Sequence, residues 1–282
     1  MKNIGITSTV PIEVLMAADL RPIDLNNIFI SDAAPERLVR AAERYGFPLN
    51  TCTWIKGIFS AVLEQKIDTV IGVTSGDCSN TQMLMEVLEL NGVKTIPFAY
   101  PGKPDASEMA RELKAFASGF GTTLEAAEKV RESLQPCRNL LAELDRLTWQ
   151  EDKASGMENH YWLVSGSDLN GDQSRFYADV QNVIAEVKTR QPYPKDTLRL
   201  AFCGVPSVYG KELYPFLESK GARVVFNEIQ HQFAMTTPAP SLAEQYTAYT
   251  YPYATAVRIA DITAECRKRR ADGIIHYVQA FC

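Results

Sequence analysis

Short apolar runs rich in β-branched residues alternate with longer amphipathic stretches along this chain. One series contains a strand at residues 68–73, a helix from about 81 to 90 and a strand at 93–97. The same order recurs as a strand at 198–203, a helix from about 210 to 219 and a strand at 222–226. Short buried strands joined by helices are typical of parallel sheets with helical crossovers, so the pattern predicts an α/β fold.

Longer helical stretches lie between the two series and indicate where the chain divides. They cover about 105–120, 123–147 and 173–189, and the polar segment 150–159 interrupts them. We place a domain boundary in this segment, which gives an N-terminal lobe of residues 1–155 and a C-terminal lobe of residues 156–282. The expected architecture is two Rossmann-like (flavodoxin-like) lobes whose parallel sheets face a shared cleft, the usual ligand site of such sheets.

The composition narrows the class of protein. A chain with 46% hydrophobic and 22% charged residues has the composition of a globular protein. Its net charge of −5 lacks the basic excess that nucleic-acid binding requires. We interpret the one dense basic run, residues 267–270, as the solvated last turn of a helix. Because neither a membrane span nor a signal peptide is evident, we predict a cytoplasmic protein without nucleic-acid or membrane partners.

Two of the six cysteines occupy matching positions in the two halves. Cys78 follows Asp68 by ten residues and Cys282 follows Asp272 by ten, and each comes just past the end of a predicted strand. We therefore expect the two thiols to meet across the cleft. Cys52, at the start of a predicted helix, would add a third sulfur, since a helix N-terminus favours the thiolate that metals bind.

Sites made only of thiolates select zinc, copper(I) or iron–sulfur clusters. The absence of a Cys-x₂-Cys pair weighs against structural zinc. Three widely separated thiolates suit a cubane cluster that leaves one iron open to a substrate oxygen. The alternative is that the cysteines are small buried hydrophobic residues. We expect that simpler role for Cys137, Cys203 and Cys266, although Cys203 ends a strand and would also suit a further ligand.

Several segments together point to a known family. They are 8–18 (STVPIEVLMAA), Cys52, 76–80 (GDCSN), 227–233 (NEIQHQF), 249–253 (YTYPY) and 272–282 (DGIIHYVQAFC). On these segments, and over nearly its whole length, the chain resembles the 2-hydroxyacyl-CoA dehydratase D-component family, which also includes benzoyl-CoA reductase subunits and double-cubane cluster proteins. The resemblance implies a [4Fe–4S] cluster held by Cys52, Cys78 and Cys282. Relatives continue past the last of these cysteines, so it also implies that the family's C-terminal segment is lacking here.

The activity that the resemblance implies is a radical reaction. The cluster would pass a single low-potential electron to an acyl-CoA thioester, for dehydration by a lyase or for reduction by an ATP-dependent reductase component. An ATP-hydrolysing iron–sulfur activator would supply the electron, and the chain would act within a homo- or heterodimer. Two alternatives stay open: an electron carrier or small-molecule reductase that binds no CoA, and a cluster-free α/β binding module.

A few polar residues are candidates for the remaining roles. The hydroxyl of Ser8 would hydrogen-bond a cluster-bound oxygen, or would simply belong to the cap of the next helix. Glu228, Gln230 and His231 follow a predicted strand and would contact substrate, or would be ordinary polar residues at a strand end. Relatives more often carry arginine in place of His231. His276 lies inside a predicted strand, where we expect a buried imidazole with its hydrogen bonds satisfied.

Overall fold

A computed structural model describes residues 1–207 and 210–278, and these residues confirm the predicted α/β class. They form two compact units. The first contains residues 1–131 and 241–248, and the second contains residues 132–240 and 249–278. The division between them falls inside a long helix, and the domain boundary expected near residue 155 stays a prediction.

The N-terminal part of the chain builds a four-stranded parallel sheet in the order β2-β1-β3-β4. Its elements are β1 (Lys2–Ile6), α1 (Ile12–Ala17), β2 (Leu20–Asp24), α2 (Leu25–Ser31), α3 (Glu36–Tyr45), α4 (Thr53–Glu64), β3 (Thr69–Ser75), α5 (Asn80–Leu90), β4 (Lys94–Ala99), α6 (Ala106–Gly119) and α7 (Leu124–Trp149). Pro22 and Pro97 lie on the two edge strands, where the missing backbone N–H breaks no ladder between neighbouring strands.

The first unit buries the middle of strand β3. Val70, Ile71 and Val73 are each 1% exposed or less, as expected where helices cover both faces of a parallel sheet. Helices α2 and α4 approach closely at Gly57, where a Cβ atom would lie 2.3 Å from the ring of Phe29. Glycine is therefore the residue that allows this helix contact.

The C-terminal part builds a three-stranded parallel sheet in the order β6-β5-β7. Its elements are α8 (Gly156–Val164), α9 (Gln173–Thr189), β5 (Leu198–Gly204), α10 (Gly210–Ser219), β6 (Ala222–Asn227), α11 (Glu228–Ala234), α13 (Thr255–Lys268) and β7 (Gly273–Tyr277), while α12 (Leu242–Ala248) belongs to the first unit. Strand β5 ends at Gly204, whose φ is +104° and where a Cβ would lie 2.2 Å from the Tyr277 carbonyl oxygen. This strand end requires glycine.

Two sequence-based expectations for the second unit are wrong. The basic run is solvated except at Arg269, which is 0% exposed. Its guanidinium makes two 2.7 Å hydrogen bonds to Asp145 and a third, at 2.8 Å, to Glu265, because an internal charge requires paired partners. His276 does lie in a strand, but its side chain is exposed. Strand β7 is at an edge of the sheet, and alternate residues along it face outward.

Within the described ranges, no helix has both the length and the apolar character that crossing a bilayer requires.

Candidate functional site

The strand order of the first unit creates a switch point between β1 and β3. From β1 the chain passes to β2 on one side, and it later returns to β3 on the other side. In open parallel sheets a crevice forms at the carboxyl ends of the strands where the order reverses. Ser8 follows β1 and Cys78 follows β3, so both lie at this point.

Cys52 belongs to the same edge of the sheet. It directly precedes α4, and the 12 residues of α4 lead back to the start of β3. At 1.5 Å per residue, α4 is about as long as β3. Because α4 ends near the amino ends of the strands, it begins near their carboxyl ends. The topology thus brings Ser8, Cys52 and Cys78 to one edge of one sheet.

The thiol of Cys78 lies just before the start of α5 and is partly exposed. The Nδ2 amide of Asn80 donates a hydrogen bond to its Sγ at 3.3 Å, and the backbone N–H of Thr81 donates to its carbonyl oxygen at 3.0 Å. The Cys78 sulfur therefore accepts a hydrogen bond from a side chain of the helix that it precedes.

Cys52 is buried, at 5% exposure, in the cap position of α4. The segment ahead of it is held by Lys56, whose buried ammonium donates to Glu43 Oε1 at 2.7 Å and to the Leu49 carbonyl oxygen at 3.1 Å. The backbone N–H of Lys56 also donates to the Cys52 carbonyl oxygen at 3.2 Å. Side-chain and backbone bonds from one residue therefore position the Cys52 turn.

The loop that carries Ser8 is held by tyrosine hydroxyls. Tyr100 donates to the Thr9 carbonyl oxygen at 2.8 Å, and Tyr246 donates to the Val10 carbonyl oxygen at 2.9 Å. Thr9 Oγ1 is buried and has no hydrogen-bond partner in the described part of the chain. A buried hydroxyl without a partner costs about 1–3 kcal/mol unless a bound group satisfies it, which makes Thr9 a candidate binding residue of this loop.

The third expected ligand, Cys282, lies outside the described residues, so the complete ligand set stays a prediction. Across residues 1–207 and 210–278, no cluster of three or more His, Cys, Asp or Glu side chains is placed to hold a metal ion. Burial raises the pKa of Cys137 and of Cys266, and burial beside Glu228 raises that of Cys203 to about 12. These three sulfurs are held as thiols, which suits the simpler role expected for them.

The candidate substrate residues of the second unit lie on α11, directly after β6. Glu228 accepts a hydrogen bond from Gly204 N at 2.9 Å and forms a 2.5 Å ion pair with Arg258. His231 Nδ1 lies 3.4 Å from Arg269 and 4.0 Å from Asp145, and burial lowers the pKa of this imidazole. Both side chains are thus engaged by other groups of the same unit.

Gln230 differs from its two neighbours. It is 0% exposed, and its Nε2 lies 2.6 Å from Nδ1 of His160, while its Oε1 has no partner among the described residues. Burial lowers the pKa of His160 to about 4, so the imidazole is neutral and offers one donor and one acceptor. The Gln230 amide thus has one contact, to His160, and one buried oxygen without a partner among the described residues.

Sequence reasoning did not single out Thr9, Asn80 or His160. Thr9 and Asn80 lie inside segments that carry the family resemblance, so their position was a usable signal. His160 lies in a helix with no distinguishing spacing, and its contact with Gln230 joins residues 70 positions apart.

A parallel sheet in the order β2-β1-β3-β4 with helical crossovers makes the first unit Rossmann-like, and the switch point of such sheets is where ligands commonly bind. The family model described as 2-hydroxyglutaryl-CoA dehydratase, D-component, matches residues 7–282. The chain therefore belongs to that family, and the resemblance noted from its motifs is confirmed. A search of curated proteins found no match.

Proposed function

We propose that this protein is an iron–sulfur component of the 2-hydroxyacyl-CoA dehydratase type. It would hold a [4Fe–4S] cluster on Cys52, Cys78 and Cys282 and deliver a low-potential electron to an acyl-CoA thioester, for dehydration or reduction. The observation that carries the proposal is the common sheet edge of Ser8, Cys52 and Cys78 in a chain that belongs to this family.

The donor groups present fit such a cluster. Cys78 lies at a helix start with an amide donor on its sulfur, a contact that also suits an iron-bound sulfur. Cys52 precedes α4 at the same edge of the sheet. The unpartnered Thr9 hydroxyl adds a polar group at the same edge. When bound, the cluster supplies a one-electron reductant and an iron position open to a substrate oxygen.

The protein's own residues would orient the substrate. In the proposal, Ser8 is the catalytic residue that donates a hydrogen bond to the substrate oxygen, and Thr9 offers a second hydroxyl. Hydrogen bonds from the Tyr100 and Tyr246 hydroxyls to the Thr9 and Val10 carbonyl oxygens hold this loop in place. A loop held at successive carbonyls positions hydroxyls before substrate arrives, which lowers the entropy lost on binding.

Gln230 is the residue of the second unit best suited to substrate binding. Its unpartnered amide atom would be satisfied by a hydroxyl or amide of an acyl-CoA molecule. Glu228 and His231 would support the same region through their contacts with Arg258 and Asp145. The proposal further includes an ATP-hydrolysing iron–sulfur activator as electron donor, a homo- or heterodimeric assembly and a cytoplasmic, anaerobic setting.

Anaerobic purification followed by iron, sulfide and EPR analysis tests the cluster. We expect iron and sulfide in the ratio of a cubane, loss of iron in Cys78→Ser and retention of iron in Cys266→Ser, a control at another partly buried thiol. A protein without iron after anaerobic work would exclude the redox function. Full iron content in Cys78→Ser would refute that ligand assignment. Calorimetry with an acyl-CoA then separates the enzyme from a carrier, since a carrier would bind none.

A further inference from the structure

The side chain of Asn80 donates a hydrogen bond to a cysteine sulfur at the start of a helix. It is the first residue of α5, and Ser79 occupies the cap position without a side-chain cap bond. Asparagine near a helix start commonly accepts a bond from a free backbone N–H. Here its Nδ2 instead donates to Cys78 Sγ at 3.3 Å.

We propose that Asn80 sets the redox potential of the bound cluster through this N–H···S hydrogen bond. The inference rests on the proposed function, because it takes Cys78 as a cluster ligand. Asn80 is a positioning and tuning residue in this scheme, since it acts through the Cys78 sulfur and touches no substrate.

The sign of the effect follows from charge. A cluster-bound thiolate is an acceptor only, so the amide must present its N–H₂ group to the sulfur and not its oxygen. Reduction adds one negative charge, which spreads over the sulfur atoms and strengthens the bond from a donor. The bond therefore stabilises the reduced state more than the oxidised state, and its removal lowers the potential.

Two substitutions separate this effect from helix stability. Asn80→Leu keeps a similar size and removes the donor. Asn80→Asp keeps the shape, favours the helix start through the macrodipole and replaces the donor with a negative charge near the sulfur. Gln82→Leu is the matched control, because Gln82 is an exposed amide on the same helix.

The measurement is an EPR-monitored redox titration of the anaerobic holoprotein, with iron and sulfide content determined on the same samples. At the wild-type midpoint, we expect the reduced-to-oxidised ratio to fall about threefold in Asn80→Leu and about tenfold in Asn80→Asp. A tenfold change corresponds to ~59 mV for a one-electron couple. Gln82→Leu should titrate like the wild type.

The outcomes test the tuning role of Asn80 separately from the proposed function of the protein. A full cluster with an unchanged potential in both Asn80 variants would overturn the tuning role and leave the proposed function standing. Loss of iron from both variants, with iron retained in Gln82→Leu, would also overturn tuning and show that Asn80 helps hold the cluster. Wild-type protein without a cluster would remove the proposed function, and the inference with it.

Discussion

Replacing His160 by glutamine tests whether the buried imidazole of the second unit links folding to pH. The ring is 5% exposed, lies 5.2 Å from the ring of Tyr214 and has Nδ1 2.6 Å from Gln230 Nε2. Burial lowers its pKa from 6.5 to about 4, because the charged form would lose its hydration. Glutamine is close in size, can still bond to Gln230 and does not titrate.

The sign follows from where the proton binds. Below pH 6.5 the unfolded chain takes up a proton at His160, whereas the folded chain stays neutral until about pH 4. Stability linked to His160 is therefore fully present above pH 6.5 and is lost as the pH falls toward 4. At ~1.4 kcal/mol per pKa unit, the free energy of unfolding should fall by about 2 kcal/mol between pH 7.5 and pH 5 through this residue.

Urea unfolding followed by tryptophan fluorescence, at several pH values between about 5 and 7.5, measures this loss. His160→Gln should flatten the pH dependence by roughly 2 kcal/mol. Some dependence of the same sign should remain, because burial also lowers the pKa of His231. If the unfolding free energy of His160→Gln fell as steeply as that of the wild type, the assigned burial effect would be refuted.

Two further substitutions test packing and buried charge. Gly57→Ala should lower the free energy of unfolding by ~1–3 kcal/mol, because the added methyl group overlaps the Phe29 ring. In a double-mutant cycle, adding Phe29→Leu to this variant should restore part of the lost stability, and additive losses would contradict the contact. Asp145→Asn should cost about 3 kcal/mol, because it removes the carboxylate that makes two hydrogen bonds to the buried Arg269 guanidinium and leaves Glu265 to pair with that charge. Glu143→Gln on the same helix should cost no more than ~1 kcal/mol, and equal losses in urea unfolding would contradict this reasoning.

The strands that sequence analysis could predict most directly are those with continuous apolar runs. Strands β3 and β6 are buried along most of their length, so their composition was enough to identify them. Strands β1 and β2 were not identified. The first begins with exposed Lys2 and Asn3, and the second contains Pro22, so both form strands chiefly because they pair with neighbours distant in sequence.

The candidate site was predictable only as far as it depends on topology. Cys78 comes just past a strand end, and the common edge with Ser8 follows from parallel strand order. The donor on its sulfur and the unpartnered oxygens of Thr9 and Gln230 depend on side-chain orientation, which spacing along the chain does not specify. Arg269 could not be predicted for the same reason, since nothing in the sequence of four basic residues indicates which side chain is buried.

The carboxyl edge of each sheet suits groups that accept hydrogen bonds, for the same physical reason. Helices that follow parallel strands begin there and direct free N–H groups toward it. In the first unit this edge carries Cys78, and in the second it carries Glu228, whose carboxylate already accepts from Gly204 N and pairs with Arg258. A carboxylate with both oxygens engaged orders the end of β5 and has little capacity left for a ligand. Of the residues expected to contact substrate in that unit, Gln230 is therefore the one we expect to do so directly.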